Sequence, residues 1–415
     1  MTDRKLISKL LKLTGVKVTG ISFKGRGKEL YLCVKPYKNG CRCPECGRRG
    51  KIKRTMPDAR TWRDVCVCGW TVFFLYCPKE ITCPTHGRVQ EHIPWADAFA
   101  RITYRLEYLV LVYSQLMTQK AAAELLRIPR STFSDILHRT ITRVRDGHRV
   151  RGLKAIGIDE ISYRKGHKYV TVVYDLDRAC VVWVDKGKGR DTIDTFFNDV
   201  LSPYQRKKIK WACCDMSETY IGAIKDHCPN AKLVLDRFHI AKALNTAVDE
   251  VRKEQWRNAT GAERKALKGL RWLLFKHPSN RTRADKAILD ALRKGNRRIH
   301  RACVLKDEFD LFWNYKAPWA AKRFLKRWST TALKSRLEPI RKFVHTIRAH
   351  VDNIVTFVES GGLTNAIAEG LNRVIGMLKN RASGFRSIQA FVDLIYLVVG
   401  DVDIPAQIPA RFRTT

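Results

Sequence analysis

Three carboxylates far apart in the chain keep the company that metal-ion chemistry requires. Asp159 lies in Ile156-Gly157-Ile158-Asp159-Glu160. Asp215 ends the apolar run Trp211-Ala212-Cys213-Cys214, and Glu369 lies in Thr364-Asn365-Ala366-Ile367-Ala368-Glu369-Gly370-Leu371-Asn372. An acid within or at the end of an apolar strand is costly to bury unless it binds something. Three acids delivered by rigid elements that meet can hold two divalent cations. Such a pair activates an attacking oxygen and stabilises a leaving one during phosphodiester cleavage. Each acid also has a plainer reading. Asp159 can be a turn residue with Glu160 as the ligand, Asp215 can cap a helix starting at Ser217, and Glu369 can be an exposed helical acid. Asp236-Arg237-Phe238-His239 follows a further apolar run. There Asp236 can support the metal site and His239 can touch the scissile phosphate, or the four residues can form a plain strand-to-helix cap.

For these acids to meet, the segments carrying them must form one sheet. From Lys154 the pattern is strand-rich: Ala155–Ile161, Lys168–Leu176 and Ala179–Lys186 read as successive antiparallel strands, with Asp177-Arg178 as a tight turn. A helix (Asp191–Leu201), a strand (Ile209–Cys214), a helix (Glu218–His227) and a strand (Ala231–Leu235) follow. Three antiparallel strands and then alternating helix and strand is the order of an RNase H-like sheet. Residues 240–358 read as helical and very basic, with tryptophans at 256, 272, 313, 319 and 328, and a final helix bearing Glu369 follows Gly361-Gly362.

Upstream, Cys43-Pro44-Glu45-Cys46-Gly47 is a knuckle whose turn aims two thiolates at one ion. Tetrahedral zinc needs two more donors. The expected pair is Cys77 and Cys83; Cys66 and Cys68 are rivals, and His86 is a further candidate. Between the cysteines, Arg60–Val65 and Gly69–Tyr76 read as strands, and residues 1–40 as two more. Residues 101–147 then change to helical period, with Leu106, Leu109, Val110, Tyr113 and Leu116 on one face. Thr118–Leu126, the turn Arg127-Ile128-Pro129 and Arg130–Leu137 outline a helix-turn-helix, with Ser131 placed as an N-cap. Its second helix would offer Arg130, Ser131, Thr132 and Ser134 to a major groove, and Lys120 and Arg127 would hold phosphates.

The bulk numbers agree with a polyanionic partner. The chain has 415 residues and a formal net charge of +39, of which residues 1–150 carry +17 and residues 151–415 the remaining +22. Residues 251–350 alone carry +19. Charge spread through every part suits a protein that tracks nucleic acid. There is no apolar run long enough to span a bilayer, and Met1-Thr2-Asp3-Arg4-Lys5 does not open a secretory signal. Thirteen cysteines, eight of them within Cys33–Cys83, fit a reducing compartment and a metal site better than a disulfide framework.

Taken together, these blocks resemble transposases of bacterial insertion sequences of the ISL-three family. The resemblance runs through the zinc module, the helix-turn-helix, Gly157-Ile158-Asp159-Glu160 with Lys165-Gly166-His167-Lys168-Tyr169, and Asp215-Met216 with Tyr220. It continues through Pro229-Asn230-Ala231, Asp236-Arg237-Phe238-His239 and Ala247–Arg252 to Glu369-Gly370-Leu371-Asn372 and Gly384-Phe385-Arg386. It implies an α/β RNase H-like DDE core at 151–240 and 361–401, interrupted by a basic α-helical insertion at 241–360. A zinc-binding β module (1–97) and an all-α helix-turn-helix domain (98–150) precede the core, and a tail (402–415) ends the chain. The implied triad is Asp159, Asp215 and Glu369, holding two magnesium (or manganese) ions, with one structural zinc upstream. The implied partners are double-stranded DNA, as element ends and target, and further copies of the chain, at least a dimer, in a synaptic complex. A bacterial cytoplasmic, nucleoid-associated location follows, with no membrane. The rival expectations are a nuclease or recombinase of the same fold, and a domesticated regulator that binds DNA without cutting it.

Overall fold

The computed structural model describes the chain apart from residues 1–2, 12, 14–15, 26–27, 37–40, 98–99, 148–149, 165, 167, 383, 386 and 402–415. The expected tail and parts of two family motifs therefore lie outside the described residues. The chain divides into two compact units, residues 1–149 with 377–415, and residues 150–376.

In the first unit, helix α1 (Asp3–Leu10) precedes strands β1 (Val16–Lys24), β2 (Glu29–Pro36), β3 (Lys51–Thr55), β4 (Arg60–Arg63), β5 (Thr71–Tyr76), β6 (Lys79–Cys83) and β7 (Gly87–Gln90). One sheet runs β1-β2-β5-β4 and a second runs β3-β6-β7. The first sheet follows its period-2 pattern: Leu30, Leu32 and Val34 of β2 and Val72, Phe74 and Tyr76 of β5 turn inward around Trp62 and Trp95. The second sheet has little of this. Every residue of β3 is exposed, so something other than apolar burial must hold it.

Helices α2 (Tyr104–Leu116), α3 (Gln119–Leu126) and α4 (Arg130–Gly147) follow. Thr103 caps α2 and Thr118 caps α3, and α3 ends on Arg127 in a left-handed conformation, φ 51°. Two details differ from expectation. The buried face of α2 is Leu106, Glu107, Val110, Leu111 and Ser114, whereas Leu116 is 66% exposed. Glu107 can turn inward because Arg139 and Arg143 donate to its carboxylate. Helix α4 also begins earlier than a Ser131 N-cap would allow: the Phe133 amide already bonds the Pro129 carbonyl. Ser131 is thus inside the first turn and is not the N-cap.

In the second unit, β8 (Ala155–Arg164), β9 (Lys168–Asp175) and β10 (Cys180–Lys186) are antiparallel. Helices α5 (Arg190–Thr195) and α6 (Pro203–Lys208), strand β11 (Trp211–Cys214), helix α7 (Glu218–His227) and strand β12 (Lys232–Leu235) follow. The sheet order is β10-β9-β8-β11-β12, with β11 parallel to both β8 and β12. This is the RNase H-like arrangement.

Eight helices then run from residue 237 to 359: α8 (Arg237–Asn258), α9 (Gly261–Gly269), α10 (Arg271–Phe275), α11 (Arg283–Gly295), α12 (Arg297–Asp310), α13 (Pro318–Lys334), α14 (Glu338–Ala349) and α15 (Val351–Glu359). Helices α12 and α14 pack on α8, and α15 packs on β12. Phe309 is the hub of this packing, in contact with Phe312, Trp313, Trp328 and Phe343. Trp313 and Trp328 are therefore core residues, while Trp272 and Trp319 are 70% and 72% exposed.

Helix α16 (Ala366–Arg381) starts in the second unit and ends in the first. Helix α17 (Ile388–Val399) packs on α2 and α4 in the first unit. Residues 361–401 were expected to complete the sheet domain as a block, but 377–401 group with the first unit. Helix α17 is apolar on most of its circumference, with Phe391, Val392, Leu394, Ile395, Tyr396, Leu397 and Val399 buried, and so needs cover on several sides. Among the described residues, no helix is long and apolar enough to cross a membrane.

Candidate active site and metal centre

Strand register brings the first two acids level. In the parallel pair β8–β11, Gly157 lies opposite Cys213. Two residues further along each strand are Asp159 and Asp215, at the same edge and, by the period of two, on the same face. In the pair β11–β12, Cys214 lies opposite Leu235, and the Asp236 amide continues the ladder to the Cys214 carbonyl at 2.9 Å. Asp236 is thus level with Asp215. Glu160, the rival ligand, points to the opposite face, where Tyr220 donates to its carboxylate at 2.9 Å.

The local bonds of these acids are mostly to backbone. Asp159 Oδ1 accepts from the Glu160 amide at 2.7 Å, and Asp215 Oδ1 accepts from the Ser217 amide at 3.0 Å. Asp236 Oδ1 caps α8 through the Phe238 amide, and its Oδ2 lies 2.8 Å from His239 Nδ1. Asp236 thus caps α8 and at the same time holds His239. Burial raises the pKa of Asp159, the Glu160 amide and the His239 charge oppose that rise, and Asp236 and Asp215 add to it. The hydrogen bond to Asp236 raises that of His239. Among the described residues, no lysine or arginine is ion-paired with Asp159, Asp215 or Glu369. Carboxylates level at one strand edge, with no lysine or arginine paired to them, are donors of the kind a hard divalent ion takes.

Glu369 approaches from α16 and is exposed. Asn365, Glu369 and Asn372 stand at positions i, i+4 and i+7, which form one helical stripe. Asn372 Nδ2 donates to Asp159 Oδ2 at 2.8 Å. Asn365 is buried against Gly157, where an added Cβ would meet its Oδ1 at 2.5 Å. The helix therefore lies on β8 through the two asparagines, with Glu369 between them. The asparagines were not among the expected site residues. Their one legible signal was their spacing around Glu369.

The upstream site differs from expectation by one donor. Cys43, Cys46, Cys83 and His86 bring their ligand atoms within 4.8 Å of one another. Cys43 Sγ lies 3.6 Å from His86 Nδ1, Cys46 Sγ lies 3.5 Å from Cys83 Sγ, and Cys83 Sγ lies 3.8 Å from His86 Nδ1. Zinc–ligand bonds of ordinary length give tetrahedral edges of about 3.8 Å between sulfurs and about 3.6 Å from sulfur to nitrogen, so the donor set fits zinc. Backbone amides of His86 and Thr85 lower the Cys83 thiol to about 6, favouring the thiolate that a metal takes. Glu45 Oε2 lies 3.3 Å from His86 Nε2, the outer partner that orients a ligating imidazole.

Cys77, expected as the third donor, is outside this group. It precedes the five-residue strand β6, which alone spans about 13 Å, so Cys77 and Cys83 cannot both reach one ion. His86 takes the place across the β6–β7 turn. The signal was present: Cys83-Pro84-Thr85-His86-Gly87 repeats Cys43-Pro44-Glu45-Cys46-Gly47 with histidine for the second cysteine. Gly47 and Gly87 both adopt a left-handed φ, 69° and 67°.

Of the residues expected to meet DNA, Lys120, Arg127 and Ser131 are exposed, and Arg130, Thr132 and Ser134 are half-buried on the first turn of α4. Arg127 Nη1 donates to the Gly69 carbonyl at 2.6 Å, tying the α3–α4 turn to the β module.

An RNase H-like sheet with acids level at one edge defines the DDE class of enzymes. The ISL3-type transposase family matches residues 156–395, more than half of the chain. The transposase for insertion sequence element IS1557 of Mycobacterium tuberculosis is 30% identical over 403 residues, covering 90% of this chain and 89% of that one. The transposase for insertion sequence element IS1001 of Bordetella parapertussis is 28% identical over 403 residues, covering 94% and 97%. Among solved structures, the Drosophila P element transposase strand transfer complex is similar at a TM-score of 0.38 and 12% identity, covering 72% of this chain and 92% of that one. The chain belongs to the ISL3 family of DDE transposases and is an insertion-sequence transposase acting on DNA.

Proposed function

We propose that this transposase recognises the terminal inverted repeats of its element and cuts and joins them with Asp159, Asp215 and Glu369 as the acids of a two-ion site. The observation that carries this reading is the register that levels Asp159 with Asp215 beneath a helix offering Glu369. Two divalent ions held there would activate the attacking oxygen and stabilise the leaving one. The residues themselves supply position. Asp159 and Asp215 are held by backbone amides, and Asp236 holds His239 by Nδ1 beside them. With Nδ1–H given to Asp236 and Nε2 protonated as well, the imidazolium of His239 is suited to donate from Nε2 to a phosphate oxygen. Water attacks phosphorus, the bond to the 3′ oxygen breaks, and a 3′-hydroxyl is left at the element end. That hydroxyl then attacks a target phosphodiester and displaces the target's 3′ oxygen, so no external energy source is needed.

The Cys43, Cys46, Cys83 and His86 group would hold one structural zinc and thereby fix the second sheet. Helices α3 and α4 would act as a helix-turn-helix, with Arg130, Ser131, Thr132 and Ser134 toward bases and Lys120 and Arg127 toward phosphates. Two ends reacting together call for at least a dimer. The basic helices after residue 237, with Trp272 and Trp319 exposed, would track DNA flanking the cut.

The test is cleavage of a labelled duplex carrying the element's terminal repeat, in magnesium and then in EDTA. Magnesium-dependent cutting at the repeat boundary is expected, lost in Glu369→Ala while repeat binding persists. Tight binding with no cutting by the parent protein would make it a regulator instead. Cutting that survives Glu369→Ala would remove the third acid from the site.

A further inference from the structure

We infer that Asn372 is a positioning residue for the cleavage reaction, acting on Asp159 and Glu369 together, with Tyr174 holding its amide in the required orientation. The inference rests on the triad reading above. Asp159 as a carboxylate can only accept, so the Asn372 group that faces its Oδ2 at 2.8 Å is the amide nitrogen. The amide oxygen then faces the Tyr174 hydroxyl, which donates to it. Tyr174 lies on β9 and is wholly buried, so its hydroxyl has little freedom to turn elsewhere. The Glu160 amide holds the other oxygen of Asp159 at 2.7 Å. The carboxylate is therefore fixed from two sides, once by its own strand and once by the helix that carries Glu369.

That double attachment gives Asn372 a reach that a single hydrogen bond lacks. It is one helical turn from Glu369, and Asn365 is one turn to the other side. Asn365 meets β8 sterically at Gly157, and its own Oδ1 has no hydrogen-bond partner. Asn372 is thus the polar link from the stripe to the strand. Without it, Asp159 keeps only the Glu160 amide, and the α16 turn holding Glu369 loses its polar tie to that strand. Two ion ligands would lose alignment through one substitution. Outer-shell partners of this kind tune metal affinity by about 10–100-fold.

The experiment measures manganese binding directly, from the electron paramagnetic resonance of the free ion, alongside the magnesium dependence of repeat cleavage. The full-length chain is compared with Asn372→Leu, which keeps side-chain size, and with Tyr174→Phe and Asp159→Ala. Asn372→Leu should raise the manganese half-saturation by about tenfold and move the magnesium midpoint of cleavage by the same factor. Saturating magnesium should restore much of the rate. Tyr174→Phe should shift both midpoints in the same direction by less. A residue that only packs would lower the melting temperature and leave both midpoints in place, and that result overturns the inference. If Asn372→Leu does not fold, unchanged midpoints in Tyr174→Phe overturn it equally. Asp159→Ala separates the two levels. If it keeps manganese binding and cleavage, the triad reading fails. If it loses both while the other variants match the parent, only the positioning role fails.

Discussion

The two candidate metal sites are built by opposite means. The Cys43, Cys46, Cys83 and His86 group comes from two tight turns of one small sheet, and its donor atoms already stand at tetrahedral spacing. The acids Asp159, Asp215 and Glu369 come from two strands and a helix distant in sequence. Among the described residues they do not form a group close enough to be filled by one ion. The first geometry is closed by the protein, as a structural site is. The second is held in position by Asn372 and by strand register, yet Glu369 remains exposed. An opening of that kind is what a substrate phosphate needs if it is to complete the coordination. Local turns can bring a donor set together on folding, whereas the proposed acid site depends on long-range packing.

The largest expected effect breaks the closed site. Strand β3 is wholly exposed and its sheet has few apolar contacts to fall back on. Zinc binding in small modules contributes on the order of 10 kcal/mol to folding. We predict that Cys83→Ser loses the zinc and unfolds the β3-β6-β7 sheet, read by metal content and by new tryptic cuts between residues 41 and 93. Asp159→Ala should keep full zinc and the same cutting pattern. Stoichiometric zinc in Cys83→Ser would show that the four donors are not the site.

What was legible in the sequence follows the same division. The sheet order of the second unit could be read because three alternating strands and two strand–helix repeats leave few arrangements. That Asp159 and Asp215 lie level could be read because one sits within an apolar strand and the other just after one, at depths that the register matches. The role of Asn372 could not, since its partners Asp159 and Tyr174 are distant in sequence and only packing joins them. The buried face of α2 turned away from Leu116 because Arg139 and Arg143 on another helix satisfy Glu107. The grouping of α17 with the first unit was hidden for a similar reason. Its buried Asp393 meets His138 of α4 at 3.1 Å, a pairing that no local pattern announces. The fourth zinc donor is different, because the repeated Cys-Pro-x-x-Gly pattern was there to be read.

A smaller effect sharpens the open site. A Cβ at Gly157 would lie 2.5 Å from Asn365 Oδ1 and 2.9 Å from Leu176 Cδ2. Both neighbours are buried, so neither can withdraw without moving α16 or the sheet core. We predict that Gly157→Ala destabilises the second unit by about 1–3 kcal/mol, as overpacking does, and depresses cleavage by displacing Glu369. Denaturant unfolding measures the first effect and the labelled-repeat assay the second. Asn365→Ala should relieve part of the clash in the double variant. A Gly157→Ala protein with parental stability and cleavage would mean that α16 does not lie against β8 as closely as the asparagines indicate.

The smallest expected effect is the most discriminating for the closed site. Cys77 is half-buried and is separated from Cys83 by the length of β6. A serine there removes a small apolar thiol and adds a hydroxyl, a change worth about 1 kcal/mol or less where some solvent is present. We predict that Cys77→Ser keeps its zinc, its protection from trypsin and its repeat binding, whereas His86→Ala loses zinc as Cys83→Ser does. The pair of variants separates the two donor sets cleanly, because each set names one residue that the other leaves free. Loss of zinc in Cys77→Ser with retention in His86→Ala would require β6 to fold back on itself. The β6–β7 pairing of Cys83 with Gly87 would then have to break. The second sheet could not survive that rearrangement, so the metal content of two point variants also reports on the register of the sheet that bears the site.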